Sequence, residues 1–178
     1  MVIEEIYNKV DVQALQQEVE SLIKLRGLGA DGEHQFSITT HDGREDWSQG
    51  RGYTVKLVVP PTEQTKIIES MQGSYLEHIT VRRHQGSYRW RLWRLPPGRC
   101  MMPHSDGPGK RIHIPVFTNE LCWLSVWDSP PAAGSTSTHT VTYQHLEVGK
   151  IYLLDSEQYH SAANHSDQDR WHLIGCTS

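Results

Sequence analysis

The stretch PHSDGPGKRIHIPVF, from Pro103 to Phe117, joins a turn rich in glycine and proline to a segment of regular alternation. Alternate side chains of an extended strand lie on opposite faces of a sheet. One face, which we expect to pack against helices, carries Ile112, Ile114 and Val116. The other, which we expect to point into a cavity, carries Arg111, His113, Pro115 and Phe117.

The same β character continues through the C-terminal half. From Tyr88 onward, short runs such as YRWRLWRL, LCWLSVWD and IYLLD alternate with Gly, Pro and Asp. Several short strands with frequent turns and no helices between them are typical of an antiparallel sandwich or barrel. We therefore predict a double sheet over this part of the chain.

The N-terminal half is predicted to form a supporting layer. Residues 12–25 have apolar side chains near helical spacing, with Asp11 as N-cap and Gly27 as the stop. Short strands are expected around Gln35–Thr39 and at Val55–Val59. A second helix is expected after Pro60 and Pro61, with Thr62 as its cap and inward-facing residues Ile67, Ile68 and Met71.

Length and composition restrict the class of protein. The 178 residues fit one domain (1–178), with residues 1–85 as support and 86–178 as the β core. Lys and Arg number 17 against 21 Asp and Glu, so the net charge is −4 and no basic excess indicates nucleic acid.

Cysteine usage and hydropathy bear on localisation. The three cysteines form no Cys-x-x-Cys pair, which argues against a disulfide framework and fits a reducing compartment. The N-terminus is acidic and polar, and no apolar run approaches the roughly 20 residues of a membrane span. We expect a cytoplasmic protein without membrane association, whose oligomeric state stays open.

His104 and Asp106 are candidate metal ligands. Positions i and i+2 of an extended segment project from one face, so both side chains can reach a single ion. His160, which follows the β-rich run IYLLD, is the favoured third ligand, and His139 and His145 are competitors. Two histidines and one carboxylate with open positions suit non-haem Fe(II).

A second copy of the tripeptide shows how weak His-x-Asp is alone. His165-Ser166-Asp167 repeats it close to the C-terminus, where little chain is left to deliver a third ligand. We interpret that copy as a polar turn. The first copy is therefore significant only with its distant partners.

Arg170 is the candidate anchor for a carboxylate. If a turn pairs Asn164 with Gln168, Arg170 falls on the face of His160, where its guanidinium suits bidentate binding of an acid. A salt bridge within the turn is one alternative, and a register shifted by one residue, which would turn Arg170 to the opposite face, is the other. Arg111 and His113 are candidates to bind cosubstrate or substrate, and Arg111 is alternatively an edge charge. Which tryptophans line a substrate pocket is left open among Trp90, Trp93, Trp123, Trp127 and Trp171.

Roughly half of the chain, from about Tyr88, resembles the aspartyl/asparaginyl β-hydroxylase-like branch of the Fe(II)/2-oxoglutarate-dependent oxygenases, to which small bacterial proline hydroxylases are related. The matching pieces are Arg94-Leu95-Pro96-Pro97-Gly98, Pro103-His104-Ser105-Asp106, Arg111-Ile112-His113-Ile114-Pro115, His160 with Asn164, and Arg170-Trp171-His172.

The resemblance implies a mainly β fold, a double-stranded β-helix (jelly roll, cupin-like) with N-terminal helices packed on one sheet. It implies metal ligands His104, Asp106 and His160, and pairing of Arg170 with the distal carboxylate of 2-oxoglutarate. Arg111 and His113 would lie near the metal-proximal end of that cosubstrate. The enzyme that names the family has glycine where Asp106 stands and carries a helical-repeat domain, so its substrate is not carried over.

The resulting hypothesis is an Fe(II)- and 2-oxoglutarate-dependent dioxygenase. It would use O2 to hydroxylate an aliphatic C–H of a small-molecule or peptide substrate, an amino acid or a peptidyl Asp, Asn or Pro-like residue, with release of succinate and CO2. A cupin-like metalloenzyme that does not use 2-oxoglutarate and a non-catalytic metal-binding module are the alternatives.

Overall fold

The computed structural model describes residues 3–7, 9–28, 35–45, 59–106, 108–130 and 140–178. The helices are α1 (Val12–Arg26) and α2 (Tyr75–Glu77), the latter continuing as a π-helix over His78–Arg82. The strands, in chain order, are β1 (Ile3–Tyr7), β2 (Gln35–Ser37), β3 (Thr39–Thr40), β4 (Lys66–Ile67), β5 (Tyr88–Leu95), β6 (Arg99–Cys100), β7 (Lys110–Phe117), β8 (Cys122–Trp127), β9 (Val141–Gln144), β10 (Ile151–Asp155), β11 (His160–Asn164) and β12 (Arg170–Thr177).

Two antiparallel sheets form the body of the fold. The larger has the order β1-β10-β7-β12-β5-β2, and the smaller has the order β6-β11-β8-β9. Apolar side chains from both sheets, among them Leu95, Leu124, Val126 and Leu154, form a buried cluster between them. The mainly β, cupin-like double sheet is therefore confirmed.

The opposite face of the larger sheet carries the helical layer. Ile112, Ile114 and Val116 of β7 are buried in one cluster with Leu15 and Val19 of α1. The alternation predicted for β7 is confirmed on this face. Among the described residues, no helix combines the length and apolar character needed to cross a bilayer.

Both predicted ends of α1 are confirmed. The Asp11 side chain accepts a hydrogen bond from the Ala14 N–H, which satisfies one of the free donors of the first turn. Gly27 has a φ of 61°, and its N–H donates to the Ile23 carbonyl. That left-handed conformation strains any residue with a Cβ, so a glycine ends the helix there.

The predicted second helix was placed too early. Residues Lys66–Ile67 form β4 and pair with Thr39–Thr40, and the Ile68 N–H donates to the Ile38 carbonyl. These long-range hydrogen bonds override local helical spacing. The helix begins instead at Tyr75, with Ser74 as its N-cap. Most of the strand predicted at 55–59 lies outside the described residues.

Glu18 of α1 caps the start of α2. Its two carboxylate oxygens accept hydrogen bonds of 2.8 Å from the Tyr75 and Leu76 N–H groups. We expect Glu18→Ala to lower the free energy of unfolding by about 1 to 2 kcal/mol, because it removes a cap with two charge-assisted hydrogen bonds. Urea unfolding checks this, with the exposed Glu20→Ala in the same helix as control. Equal effects of the two substitutions would contradict it.

Candidate metal centre

His104 and His160 are paired directly through their backbones. The His104 N–H donates to the His160 carbonyl at 3.0 Å, and the His160 N–H donates to the His104 carbonyl at 2.8 Å. Directly opposed residues of an antiparallel pair project on the same side. The two imidazole rings accordingly lie side by side, with centroids 4.5 Å apart.

Backbone carbonyls fix which ring nitrogen of each histidine faces the site. Nδ1 of His104 lies 2.8 Å from the Met102 carbonyl, and Nδ1 of His160 lies 2.8 Å from the Gln158 carbonyl. Since a carbonyl only accepts, each Nδ1 carries a proton and each Nε2 keeps its lone pair. This is the arrangement that orients histidine ligands in metal sites.

Asp106 completes the group from the loop before β7. Its Oδ1 lies 3.7 Å from Nε2 of His104, and its Oδ2 lies 3.8 Å from Nε2 of His160. The Asp106 N–H donates to the Ser156 carbonyl at 3.0 Å, which holds the loop against the turn before β11. All three candidate ligand atoms lie within 4.8 Å of one another.

The protonation states suit metal binding. Burial alone would raise the pKa of Asp106, but the guanidinium of Arg111 and the neighbouring His160, Arg91 and His104 lower it below its usual value. Burial lowers the pKa of His160 below 6.5. At neutral pH the group therefore offers an ionised carboxylate and a neutral imidazole, the forms that bind a metal.

The competing histidines lie elsewhere or outside the described residues. His145 is not part of the group, which among the described residues consists of His104, Asp106 and His160. Its Nδ1 lies 3.0 Å from the Cys122 carbonyl. His139 falls outside the described residues. The second tripeptide, His165-Ser166-Asp167, lies in the turn between β11 and β12, as predicted. The three predicted ligands are the group that the fold brings together.

A cavity of about 390 Å³ opens beside this group, between the two sheets. Arg111 and His113 line it, as expected for that face of β7. Pro115 and Phe117 do not line it. Phe117 packs instead with the core on the helix side. The register of β7 against β12 shifts near Trp171, which changes the face on which Phe117 lies. The cavity-facing part of the predicted alternation therefore ends at His113.

Arg111 is a buried partner of Asp106 rather than an edge charge. Its Nε lies 3.2 Å from Oδ2 of Asp106, and the residue is 8% exposed. Close by, His113 is also buried, and burial together with nearby Arg170 lowers its pKa well below 6.5. A neutral His113 thus lies in the interior, near both Arg170 and His160.

Arg170 faces the interior, but β11 and β12 do not form the hairpin that the condition on Asn164 and Gln168 assumed. β11 belongs to the smaller sheet, whereas β12 lies between β7 and β5 in the larger one. The chain crosses between sheets at residues 165–169, so hairpin register does not decide the orientation of Arg170. The orientation of Arg170 follows instead from the alternation along β12. Arg170, His172 and Ile174 share one face of the strand, and Ile174 lines the cavity.

The Arg170 guanidinium is buried and incompletely satisfied. The residue is 2% exposed, and burial lowers its pKa to about 10, so it stays cationic at neutral pH. Nη2 donates to Nδ1 of His172 at 3.2 Å, and Nη1 has no hydrogen-bond partner among the described residues. Arg170 does not itself line the cavity, but its neighbour Trp93 does, with the ring centroid 5.6 Å from Cζ.

The sequence matches the model of the Aspartyl/Asparaginyl beta-hydroxylase family over residues 11–176. The chain belongs to that family. The match extends well beyond the half of the chain that carries the motifs. The resemblance inferred from those motifs is therefore confirmed.

Solved structures with the same fold include AviO1, an epimerase and a monooxygenase. AviO1 from Streptomyces viridochromogenes Tue57 is 13% identical, with a TM-score of 0.58, and the match covers 99% of this chain and 89% of that one. The epimerase SnoN from nogalamycin biosynthesis, solved with Fe3+ and alpha ketoglutarate, is 12% identical, with a TM-score of 0.53 over 98% and 78%. The non-heme monooxygenase ThoJ, solved with Ni, is 11% identical, with a TM-score of 0.52 over 98% and 72%. At these identities the likeness shows the fold.

Asn164 has a structural role in this member of the β-hydroxylase family. It is fully buried, and its side-chain amide donates to the Leu95 and Gln168 carbonyls at 2.9 and 2.7 Å. Its oxygen accepts from the Ser166 N–H at 3.0 Å. Asn164 therefore fixes the crossing from the smaller sheet to Arg170 rather than contacting the metal group.

The polar residues on one wall of the cavity were missed in the sequence. Arg89 and Arg91 of β5 and Gln35 of β2 line the cavity together with Trp93. The alternation in YRWRLWRL was a usable signal, because Arg89, Arg91 and Trp93 share one face of a strand. The face that points inward was not evident, since both faces of β5 carry tryptophan.

Proposed function

We propose that this chain is an Fe(II)- and 2-oxoglutarate-dependent dioxygenase that hydroxylates an aliphatic C–H of an amino acid or peptidyl residue (Asp, Asn or Pro-like). The observation that carries the proposal is the convergence of two Nε2 lone pairs and one carboxylate within 4.8 Å. That donor set matches the two-histidine, one-carboxylate site of non-haem Fe(II) oxygenases. Family membership supports the same reaction class.

The residues present fit a divalent first-row metal. His104, Asp106 and His160 would hold it, with the two imidazoles oriented by backbone carbonyls and the carboxylate oriented by Arg111. When bound, Fe(II) supplies the oxidative chemistry that converts 2-oxoglutarate and O2 to succinate and CO2 and hydroxylates the substrate. The neighbouring cavity bounds the space in which a substrate C–H can be held.

Arg170 fits the distal carboxylate of the cosubstrate. The Nη1 donor of this buried guanidinium has no hydrogen-bond partner among the described residues. A carboxylate would supply both an acceptor and the opposite charge. Trp93 and His113 line the cavity and both lie near Arg170, so the cosubstrate chain would lie against them. This feature favours an oxoacid-using enzyme over a cupin-like metalloenzyme without 2-oxoglutarate.

Succinate formation tests the proposal. We expect purified protein with Fe(II), ascorbate, O2 and 2-oxoglutarate to produce succinate when a panel of free amino acids and short peptides is added. The measurement is succinate by NMR, with hydroxylated product by mass spectrometry. Controls omit the metal, the cosubstrate or O2.

Two outcomes would contradict the proposal. If the metal-loaded protein does not bind 2-oxoglutarate in calorimetry, a metalloenzyme of another type replaces the dioxygenase. If neither Fe(II) nor Mn(II) raises the melting temperature, the metal site itself is wrong, because a ligand that binds only the folded state must stabilise it.

A further inference from the structure

We propose that Arg91, with Arg89 beside it, binds the anionic group of the primary substrate, so that the substrate is a small acid with a short aliphatic body. The proposal rests on the dioxygenase function above and specifies its substrate class. It assigns to the cavity a second anion-binding position, separate from Arg170.

The first support is the charge of the cavity. Of its described lining residues, Arg89, Arg91 and Arg111 are cationic and Asp106 is the one carboxylate, so the charge of these four side chains is +2. A divalent metal and a doubly charged 2-oxoglutarate cancel each other. The described lining side chains thus keep a positive sum in the loaded site, and a partly buried site of that kind favours an anionic ligand.

The second support is the state of Arg91. Its Nη1 makes only long contacts within the protein, 3.5 Å to the Arg89 carbonyl and 3.9 Å to the sulfur of Cys176. Its Nε is buried and has no hydrogen-bond partner among the described residues. Whereas Asp106 pairs with Arg111, no described carboxylate lies within salt-bridge distance of Arg91. An oxyanion in the cavity would meet these unused donors.

Arg89 is held in place by its backbone. Its N–H donates to the Gln64 carbonyl at 2.7 Å, and its φ of 51° is in the left-handed region, which non-glycine residues seldom occupy. Burial and the neighbouring Arg91 lower its pKa to about 10, so it remains cationic at neutral pH. A strained backbone at a cavity-lining arginine indicates that its side chain is positioned there for use.

The Arg91 position is distinct from the cosubstrate anchor. Arg91 pairs with Ile174 across β5 and β12, whereas Arg170 pairs with Leu95. Ile174 lies four residues after Arg170 on β12, so the backbone positions of Arg91 and Arg170 are about 13 Å apart along the strands, at roughly 3.3 Å per residue. From this separation we assign each guanidinium its own anion.

The remaining cavity wall sets the character of the ligand body. Met101, Leu124, Ala162 and Ile174 present apolar side chains to the same space. An aliphatic chain against this wall, with its acid group at Arg91, would lie beside the metal group, because Arg91, His104, Asp106 and His160 line the same cavity. A short aliphatic acid satisfies both the charge and the wall.

Matched probes test the assignment by ligand-observed NMR on protein loaded with Mn(II) and 2-oxoglutarate without O2. Butyrate and butyramide have the same size and differ in charge, and propyl phosphate replaces the carboxylate by a phosphate. We expect butyrate to bind and butyramide to bind at least tenfold more weakly. Tighter binding of propyl phosphate than of butyrate would identify the anion as a phosphate.

Variants on one strand locate the binding position. We expect Arg91→Met to weaken butyrate binding at least tenfold, and Arg91→Lys to keep the preference for butyrate over butyramide with lower affinity. Arg94→Met is the matched control, since Arg94 lies on the other face of β5, where it pairs with Asp169 at 2.8 Å. Butyrate affinity should be unchanged in that control.

The outcomes separate this inference from the proposed function. Equal binding of butyrate and butyramide by the wild-type protein overturns the inference, as does unchanged butyrate affinity in Arg91→Met. Neither result affects the metal or the cosubstrate. If 2-oxoglutarate does not bind, the proposed function fails, and the same butyrate titrations on the protein with Mn(II) alone still decide the role of Arg91.

Discussion

Replacing His104 by alanine is expected to abolish succinate formation and to weaken Mn(II) binding by more than about 100-fold. Loss of groups that only orient metal ligands costs roughly 10- to 100-fold in affinity, so loss of a ligand costs more. The remaining pair, Asp106 and His160, would offer two of the three donor atoms that now lie within 4.8 Å. Calorimetry with Mn(II) and the succinate assay measure the two effects.

The chain supplies a matched control for that substitution. His165-Ser166-Asp167 has the same three residues as His104-Ser105-Asp106, but its histidine is exposed in the turn after β11. We expect His165→Ala to leave Mn(II) affinity and turnover unchanged. Normal metal binding by His104→Ala, or equal losses in the two variants, would show that the metal site lies elsewhere.

The comparison of the two tripeptides shows what local sequence can and cannot predict. Spacing put His104 and Asp106 on one face, and the β-rich run before His160 indicated a strand end where a ligand can project. The backbone pairing of His104 with His160 is a long-range contact that spacing does not reveal. The short length of chain after His165 separated the two copies, and the arginine ten residues after His160 favoured His160 as the third ligand.

Local patterns predicted elements best where one face is buried. The caps at Asp11 and Gly27 set α1, and the alternation of Ile112 and Ile114 set the helix-facing side of β7. The same local reasoning misplaced the second helix, because β4 pairs with a strand more than 25 residues earlier in the chain. Hydrogen bonds between distant segments decide such short elements.

The path from β11 to β12 illustrates a further limit. A turn between two short strands looks like a hairpin in sequence, and the expected pairing of Asn164 with Gln168 assumed one. In the fold, the Asn164 side chain binds the Gln168 carbonyl while the chain passes to the other sheet. The inward orientation of Arg170 therefore follows from how the two sheets are arranged, and the local sequence around the turn does not reveal that arrangement.

Arg170→Met is expected to have opposite effects on stability and on cosubstrate binding. Without ligand, Arg170 is a buried cation, and no described carboxylate lies within salt-bridge distance of it. Desolvation of a charge that lacks a counterion is costly, and methionine fills a similar volume without that cost. We therefore expect the variant to unfold at the same temperature as the wild-type protein or above it, by thermal denaturation without metal or 2-oxoglutarate.

Affinity for 2-oxoglutarate should change in the other direction. Removing a buried guanidinium that pairs with a carboxylate typically costs several kcal/mol, and we expect a loss of at least about 100-fold in calorimetry on the Mn(II)-loaded variant. Mn(II) affinity itself should be unchanged, because Arg170 does not touch the ligand group. A residue that serves only to support the fold would give the reverse pattern, with lower stability and unaltered 2-oxoglutarate binding.

Arg91→Met provides the counterpart on the same cavity. Both arginines lie on the inward face of the larger sheet. Arg91 of β5 lies opposite Ile174, which is four residues after Arg170 on β12. If Arg170 binds the cosubstrate and Arg91 binds the substrate, 2-oxoglutarate affinity falls in Arg170→Met alone, and butyrate affinity falls in Arg91→Met alone. Exchange of the two phenotypes would place the cosubstrate at Arg91 and the substrate at Arg170, with the metal group between them unchanged.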